Sequence, residues 1–189
     1  YCTVALKVIS TTPTGSRVAG TVATEDGRGV MNTEIIAVAP LPDYPKSEMT
    51  DVVGNFDMDL IVNTDLKAAK DGDDINGVST LDLVIIQRHI LGLQELNSPY
   101  KLIAADANND GKVTASDLTE LRKLILGVTT ELPKNASWRF PIKDQVMDSN
   151  QPFPYEEHVM AMVNNPNPSY DFVAVKIGDV NGNVTTNIN

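Results

Sequence analysis

The stretch Asp106–Asp117, with the sequence DANNDGKVTASD, constrains the fold more than any other part of the chain. Side chains that carry oxygen stand at its positions 1, 3, 5, 9 and 12, and Gly111 stands at position 6, where a loop of this kind turns sharply. Ca²⁺ binds about six to eight oxygens, and this spacing supplies them. The expected ligands are Asp106, Asn108, Asp110, the Lys112 carbonyl, Thr114 through a water, and both carboxylate oxygens of Asp117.

The calcium-loop interpretation has one alternative, a polar turn in which Asp117 caps the following helix. Asp and Asn favour turns and helix N-termini, so such segments are common. Asp117 also departs from the usual loop pattern, which has the longer Glu at position 12. The oxygen positions and the glycine nevertheless agree with the loop pattern together, which random turns rarely do. We therefore predict a calcium site at this loop.

An internal repeat links this loop to an earlier part of the chain. Residues 117–127 and residues 82–92 share Asp, Leu, Ile, Leu and Gly at a fixed offset of 35 residues. Both segments have apolar residues at helical spacing and end in Leu-Gly. The repeat predicts two units, each made of a loop followed by a single helix.

The first loop is less regular than the second. Counting back from Asp82 as position 12 places Asp71 at position 1 and Asp73 at position 3. Ile75 stands at position 5, so Asn76 or a nearby carbonyl is the candidate substitute ligand. Because fewer charged ligands lower calcium affinity, we expect two Ca²⁺ sites, of which the second loop holds the stronger.

Two calcium loops, each followed by one helix and lacking the entering helix of an EF-hand, make residues 70–128 resemble a dockerin domain. The resemblance implies a non-catalytic module that binds a cohesin-like partner through loop positions 10 and 11 and through the exposed helix face. The two faces differ in sequence, so we do not expect a symmetric binding site. The candidate partner-binding residues are Thr80, Arg88, Ser116, Arg122 and Lys123.

The segment before the repeat has the pattern of a β-sheet protein. Strands are predicted over residues 3–9, 17–23, 33–39 and 50–61. The order Gly20-x-Val22, Asp26-Gly27 and Thr50-Asp51-x-x-Gly54-x-Phe56 resembles carboxypeptidase-regulatory-like and related immunoglobulin-like sandwiches of secreted bacterial proteins. That resemblance implies a structural spacer. A short connection to the first loop predicts that this segment and the repeat pack together.

The segment after the repeat is predicted to return to the sheet. Strand-like runs occur over residues 137–140, 158–163 and 171–177, separated by proline-rich loops. The segment ends in Gly-Asp179-Val-Asn181-Gly-Asn, which has the pattern of the opening of a calcium loop. One hypothesis is that Asp179 and Asn181 fold back and supply oxygens that the first loop lacks. A polar turn at the end of a strand is the alternative.

The predicted fold is α+β, with an immunoglobulin-like β-sandwich over residues 1–68, a dockerin-like calcium-binding domain over residues 69–128 and a β-rich extension over residues 129–189. The net charge of −10 argues against nucleic acid as a partner, because no Lys/Arg cluster is present to neutralise phosphates. No apolar run is long enough for membrane insertion. Calcium loops fill readily where Ca²⁺ is millimolar, so we expect an extracellular or cell-surface location in a bacterium.

No catalytic motif accompanies these features. His89 and His158 lack a Ser, Cys or carboxylate at a spacing that indicates a nucleophile and its base, and nothing fixes two carboxylates across a cleft as in a glycosidase. We predict a non-enzymatic, calcium-stabilised structural or docking module, rigidified by two ions. The alternatives are a dockerin that binds a cohesin-like partner in trans to assemble an extracellular complex and, more remotely, an accessory module of a secreted hydrolase. Neighbouring domains of the same assembly are the other candidate partners.

Overall fold

The structure, a computed structural model, describes residues 15–165 and 169–187. Cys2 and the strand predicted over residues 3–9 lie outside the described residues. The fold is α+β. The strands are β1 (Ser16–Ala23), β2 (Glu34–Val38), β3 (Lys46–Met49), β4 (Asn55–Leu60), β5 (Thr64–Ala69), β6 (Trp138–Arg139), β7 (His158–Ala161), β8 (Phe172–Val173) and β9 (Val175–Lys176). The helices are α1 (Thr80–Ile90), α2 (Pro99–Ala105) and α3 (Ala115–Ile125).

Two sheets enclose the first core. One has the strand order β4-β1-β8 and the other β3-β2-β5-β7. Burial alternates along β4, where Phe56, Met58 and Leu60 point inward and the polar residues between them point outward, as the two-residue period of a strand requires. Val18 and Val22 of β1 face the same core. The β region therefore has one apolar interior between its two sheets.

The segment after the repeat contributes strands to both sheets. β8 pairs in parallel with β1, and β7 pairs antiparallel with β5. A further pair, β6 and β9, forms a small two-stranded sheet. Trp138 and Phe172, both almost fully buried, lie in the same core as the N-terminal strands. Residues far apart in sequence thus share one interior.

The helices form a second core against the returning segment. α1 packs on α3, and α2 contacts β9. Ile86 of α1 and Leu121 of α3 are fully buried, and Ile177, which follows β9, belongs to the same cluster. None of the helices among the described residues is both long enough and apolar enough to cross a membrane.

Four elements differ from the sequence expectation. The single strand predicted over residues 50–61 is a turn at 51–54 followed by β4. β3 precedes this turn, in a stretch where no strand was predicted. β5 lies where the sequence indicated only a connection to the first loop. The short helix α2, capped by the Ser98 side chain and with Pro99 in its first turn, was not predicted.

Candidate metal centre

The loop of residues 106–117 is held closed by hydrogen bonds to its first carboxylate. Asp106 Oδ1 accepts the N–H of Asp110 at 3.1 Å, and Asp106 Oδ2 accepts the N–H of Gly111 at 2.9 Å. Asn108 Oδ1 also accepts the Asp110 N–H, at 3.0 Å. The side-chain oxygens at positions 1 and 3 therefore both face the backbone N–H at position 5, and the carboxylate at position 1 also faces the N–H at position 6.

The carboxylate at position 12 joins the other side of the loop. Asp117 Oδ1 accepts the N–H of Asn108 at 3.1 Å, and Asp117 Oδ2 accepts the N–H of Thr114 at 2.8 Å. Thr114 is the N-cap of α3 and Asp117 its third residue, so together they form a capping box. The capping interaction that the sequence offered as an alternative is present, and the same carboxylate reaches across to position 3.

Negative charge is concentrated in this loop. Asp106 is 2 % exposed and Asp117 is fully buried. Burial raises the pKa of Asp106, and the charges on Asp117 and Asp110 raise it further. Burial also raises the pKa of Asp117, with a contribution from Asp110. Among the described residues no Lys or Arg forms an ion pair with these three aspartates.

This donor set fits a hard divalent cation. Buried carboxylates are otherwise paired with a base, because an isolated buried charge is costly. No three His, Cys, Asp or Glu side chains in the described ranges lie close enough to enclose a metal by themselves. A cation in the loop would therefore depend also on neutral oxygens, of which the Asn108 amide and the Lys112 carbonyl are the candidates.

The first loop does not bring its predicted ligands together. Asp71 Oδ1 accepts the N–H groups of Ser137 at 2.9 Å and Gly72 at 2.9 Å. Asp82 Oδ1 instead accepts the N–H groups of Val180 at 3.1 Å and Asn181 at 3.2 Å. Positions 1 and 12 of the loop counted from the sequence thus contact different segments of the chain. Asp73 and Asp71 are exposed, whereas Asp82 is fully buried.

A buried lysine lies beside the first half of that loop. Lys176 of β9 is 3 % exposed, and its Nζ donates to the carbonyl oxygens of Asp74 at 3.0 Å and Ser137 at 3.3 Å. Burial lowers the pKa of Lys176 to about 8, against the opposing effect of the nearby carboxylates, which are those of Asp74, Asp73, Asp179 and Asp71. The positive charge near the start of the first loop is therefore an ammonium group. No sequence pattern predicts its burial, since Lys176 stands singly in a strand-like run.

The C-terminal segment folds onto α1. Asp179 Oδ1 accepts the N–H groups of Gly182 at 2.8 Å and Asn183 at 3.2 Å, and Asp179 Oδ2 accepts that of Val184 at 2.8 Å. Asp179 is 7 % exposed; burial raises its pKa, and the charge on Asp82 raises it further. The Nδ2 atom of Asn181 is buried and has no hydrogen-bond partner among the residues that the structure describes.

The first loop and the C-terminal segment are also joined through one amide side chain. Asn76 Oδ1 accepts the N–H of Thr185 at 3.1 Å, and Asn76 Nδ2 donates to the Thr185 carbonyl at 2.8 Å. The Asn76 side chain therefore pairs with the backbone in the manner of a neighbouring strand. This pairing fixes residue 185 beside residue 76.

The candidate partner-binding residues lie on the α1–α3 surface. Thr80, Arg88, Ser116 and Arg122 are exposed, while Lys123 is half-buried and forms an ion pair with Glu120 at 2.8 Å. Large apolar side chains are exposed on and just after the same helices. They are Leu81, Val84, Leu91, Leu93, Leu126 and Val128, each more than half exposed. The described residues of this chain therefore leave the surface uncovered.

The comparison with protein families bears on this part of the chain. The model of the dockerin type I domain matches residues 70–126, a segment that contains α1, α2, α3 and the loop at 106–117. The predicted resemblance to a dockerin is confirmed for these residues. Dockerin type I domains are non-catalytic docking modules that bind Ca²⁺ and cohesin, and proteins that carry them are typically extracellular or on the cell surface. No curated protein and no solved structure gave a significant match.

Proposed function

We propose that this chain is a non-catalytic, calcium-stabilised docking module of a secreted or cell-surface bacterial protein. Its α1–α3 surface binds a protein partner of the cohesin type. The family match over residues 70–126 supports calcium binding and docking. The observation that carries the proposal is the α1–α3 surface, which the described part of the chain leaves uncovered, since a module closed by its own strands would hide it.

Calcium acts on the fold through charge neutralisation. Asp106, Asp110 and Asp117 supply the charged oxygens, and Asn108, Lys112 and Thr114 supply neutral ones. Without a cation the three carboxylates, of which Asp106 and Asp117 are buried, repel one another, so the free energy of binding appears as folding free energy. A bound ion would fix the start of α3 relative to α2, because the loop runs directly from one helix to the other.

The α1–α3 surface combines apolar and positively charged groups. Leu81 and Leu126 are exposed by 56 % and 75 %. Arg88 and Arg122 occupy the exposed face near the ends of α1 and α3. Exposed apolar groups and arginines are the residue types that carry binding energy at protein interfaces. A partner with an apolar patch rimmed by carboxylates has the matching chemistry.

A structural role is the second candidate, and a specific observation favours it. Val173, Val175 and Ile177 of the returning segment are buried in the helical core. The loop–helix units are therefore built into the β region instead of hanging from a flexible linker. A rigid spacer in a large surface protein has this property, and the same rigidity also suits a docking module that must present one face.

Binding to a recombinant type I cohesin panel tests the docking proposal. Isothermal titration in calcium should give a complex, and Arg88→Glu with Arg122→Glu should weaken it at least about thirtyfold, the loss of about 2 kcal/mol typical of an interface hot spot. Lys101→Glu is the control, since Lys101 is exposed on α2 and its substitution changes the net charge by as much as each single arginine substitution does. Equal loss in control and double variant, or no binding to any cohesin, would favour the structural role.

A further inference from the structure

We propose that this chain builds a second calcium site from two segments almost one hundred residues apart. Residues 179–184 provide positions 1 to 6 of the loop, and residues 77–82 provide positions 7 to 12. The inference rests on the proposed calcium function and deepens it. It replaces the ligand set at Asp71 and Asp73 that the sequence suggested.

The first half of the composite loop reproduces the closure of the regular one. In the loop of residues 106–117 the carboxylate at position 1 accepts the N–H groups of positions 5 and 6, at 3.1 and 2.9 Å. In the composite loop Asp179 accepts the N–H groups of Asn183 at 3.2 Å and Val184 at 2.8 Å, which hold the same positions. Each pair of bonds uses one Oδ1 and one Oδ2. Residues 179–184 therefore have the shape of the opening half of a calcium loop.

The second half matches in the same way. In the regular loop the carboxylate at position 12 accepts the N–H groups of positions 3 and 9, at 3.1 and 2.8 Å. Asp82 accepts the N–H of Asn181, position 3 of the other segment, at 3.2 Å, and that of Ser79, position 9, at 3.0 Å. Ser79 and Asp82 form a capping box on α1 as Thr114 and Asp117 do on α3. The carboxylate at position 12 thus accepts hydrogen bonds from both segments.

The join between the segments lies where positions 6 and 7 should meet. Gly77 precedes Val78, which holds the apolar position 8 and is buried. A Cβ on Gly77 would come within 2.8 Å of the Val184 Cα and 3.0 Å of Asp179 Oδ2. Only a residue without a side chain permits this approach, so Gly77 allows the C-terminal segment to enter the loop.

Two observations besides loop shape indicate a ligand. Asp179 and Asp82 are buried carboxylates, and no Lys or Arg in the described parts of the chain forms an ion pair with either. The buried Nδ2 atom of Asn181, at position 3, has no hydrogen-bond partner within residues 15–165 and 169–187. Rotation of that amide would place Oδ1, a cation ligand, at this buried point. With two carboxylates where the regular loop has three, the composite site should bind calcium more weakly.

Asp71 and Asp73, which the sequence suggested as ligands of the first loop, interact with other groups of the protein. Asp71 is held by the N–H of Ser137, and the ammonium group of Lys176 lies near Asp71 and Asp73 and bonds to the carbonyl of Asp74. The start of the first loop therefore has a positive charge of the chain's own beside it, and the same ammonium group also interacts with the carboxylate of Asp179.

Calcium titration of the full chain by calorimetry, with stoichiometry from native mass spectrometry, tests the inference. We expect two Ca²⁺ in the parent protein, one in Asp179→Asn and two in Asp71→Asn, which makes the same charge change at the position that the sequence suggested. The remaining ion of Asp179→Asn should bind within about twofold of the parent's stronger site. Retention of both ions in Asp179→Asn, or loss of one in Asp71→Asn, would overturn the inference.

The failures of the two proposals are distinguishable. A parent protein that binds no Ca²⁺ refutes the proposed function itself, whereas one ion that disappears in Asp117→Asn refutes only the composite site. If Asp179→Asn does not fold by circular dichroism, Asn181→Asp gives the answer, because it adds a charged ligand at position 3. We expect it to tighten the weaker site about tenfold and leave the stronger site unchanged. No change at the weaker site would contradict the composite loop.

Discussion

Replacement of Asp117 by Asn separates the structural and the calcium-binding roles of one buried carboxylate. Asp117 has no exposed surface and accepts the N–H groups of Asn108 at 3.1 Å and Thr114 at 2.8 Å. Asn keeps one acceptor oxygen, so one of these N–H groups would face an NH₂ donor. Leaving a buried donor without an acceptor costs about 1–3 kcal/mol. Loss of one negative charge relieves repulsion with Asp110 and offsets part of that cost.

The loss of unfolding free energy in Asp117→Asn should differ between calcium and chelator. In chelator we expect Asp117→Asn to lower the free energy of unfolding by about 1 kcal/mol, the hydrogen-bond cost less the relieved repulsion. In Ca²⁺ at about one hundred times its Kd the parent protein gains a further ~2.7 kcal/mol from the site. The variant loses this gain as well, so its total loss should be about 4 kcal/mol.

Urea unfolding followed by tryptophan fluorescence measures both values. Trp138, which is 2 % exposed, is the single tryptophan of the chain and reports loss of the core. Asp43→Asn is the control, because Asp43 is exposed and the change of charge is the same. An equal loss of stability for Asp117→Asn in calcium and in chelator would refute the role of this carboxylate as a ligand.

Two further predictions concern the returning segment. Gly178→Ala should destabilise the protein by about 2–4 kcal/mol in thermal or urea unfolding, because the added Cβ would lie 2.9 Å from Val78 and the residue would be strained at a positive φ. Gly92→Ala is the control, because Gly92 also has a positive φ but a Cβ there would meet no neighbouring atom. An equal loss of stability in the two variants would contradict the packing argument. Lys176 has a folded pKa of about 8 against 10.5 as its ordinary value. The unfolded chain therefore holds more protons between these pH values, and stability should rise by about 3 kcal/mol from pH 8 to pH 10.5. Lys176→Met should lack this rise in unfolding free energy, and an unchanged pH profile would contradict the burial of the charge.

The sequence predicted best what depends on near neighbours. All candidate ligands of the loop at 106–117 lie within twelve residues, so their spacing is visible in the chain itself. The two helices were predicted from the same local periodicity, although α1 begins at Thr80, two residues before the expected start. Ser79 and Asp82 carry a capping-box pattern that would have given the correct boundary.

Features that depend on contacts between distant segments were predicted less well from the sequence. The residues that close on Asp82 come from positions 180 and 181, and nothing local states which distant segment will approach. The pattern Asp-x-Asn-Gly-Asn indicated only that such a segment exists. Lys176 is a stronger example, because a lysine in a strand is normally exposed, and its burial depends on carbonyl groups that the fold brings from Asp74 and Ser137.

The seam between the helices and the returning segment shows that the matched family segment is not a complete folding unit in this chain. Gly178 packs against Leu121 of α3 and Val78 at the start of α1, and its N–H donates to the carbonyl of Ala104 in α2 at 2.7 Å. Gly178, which lies outside the matched segment, is thus close to α3, to α2 and to the residue pair that leads into α1. A chain cut after residue 128 would lose Val175 and Ile177 from the helical core and leave Leu121 open to water. Because the C-terminal residues that fill this core also pair with the N-terminal sheet, the helices, their loops and the two sheets depend on one another for stability.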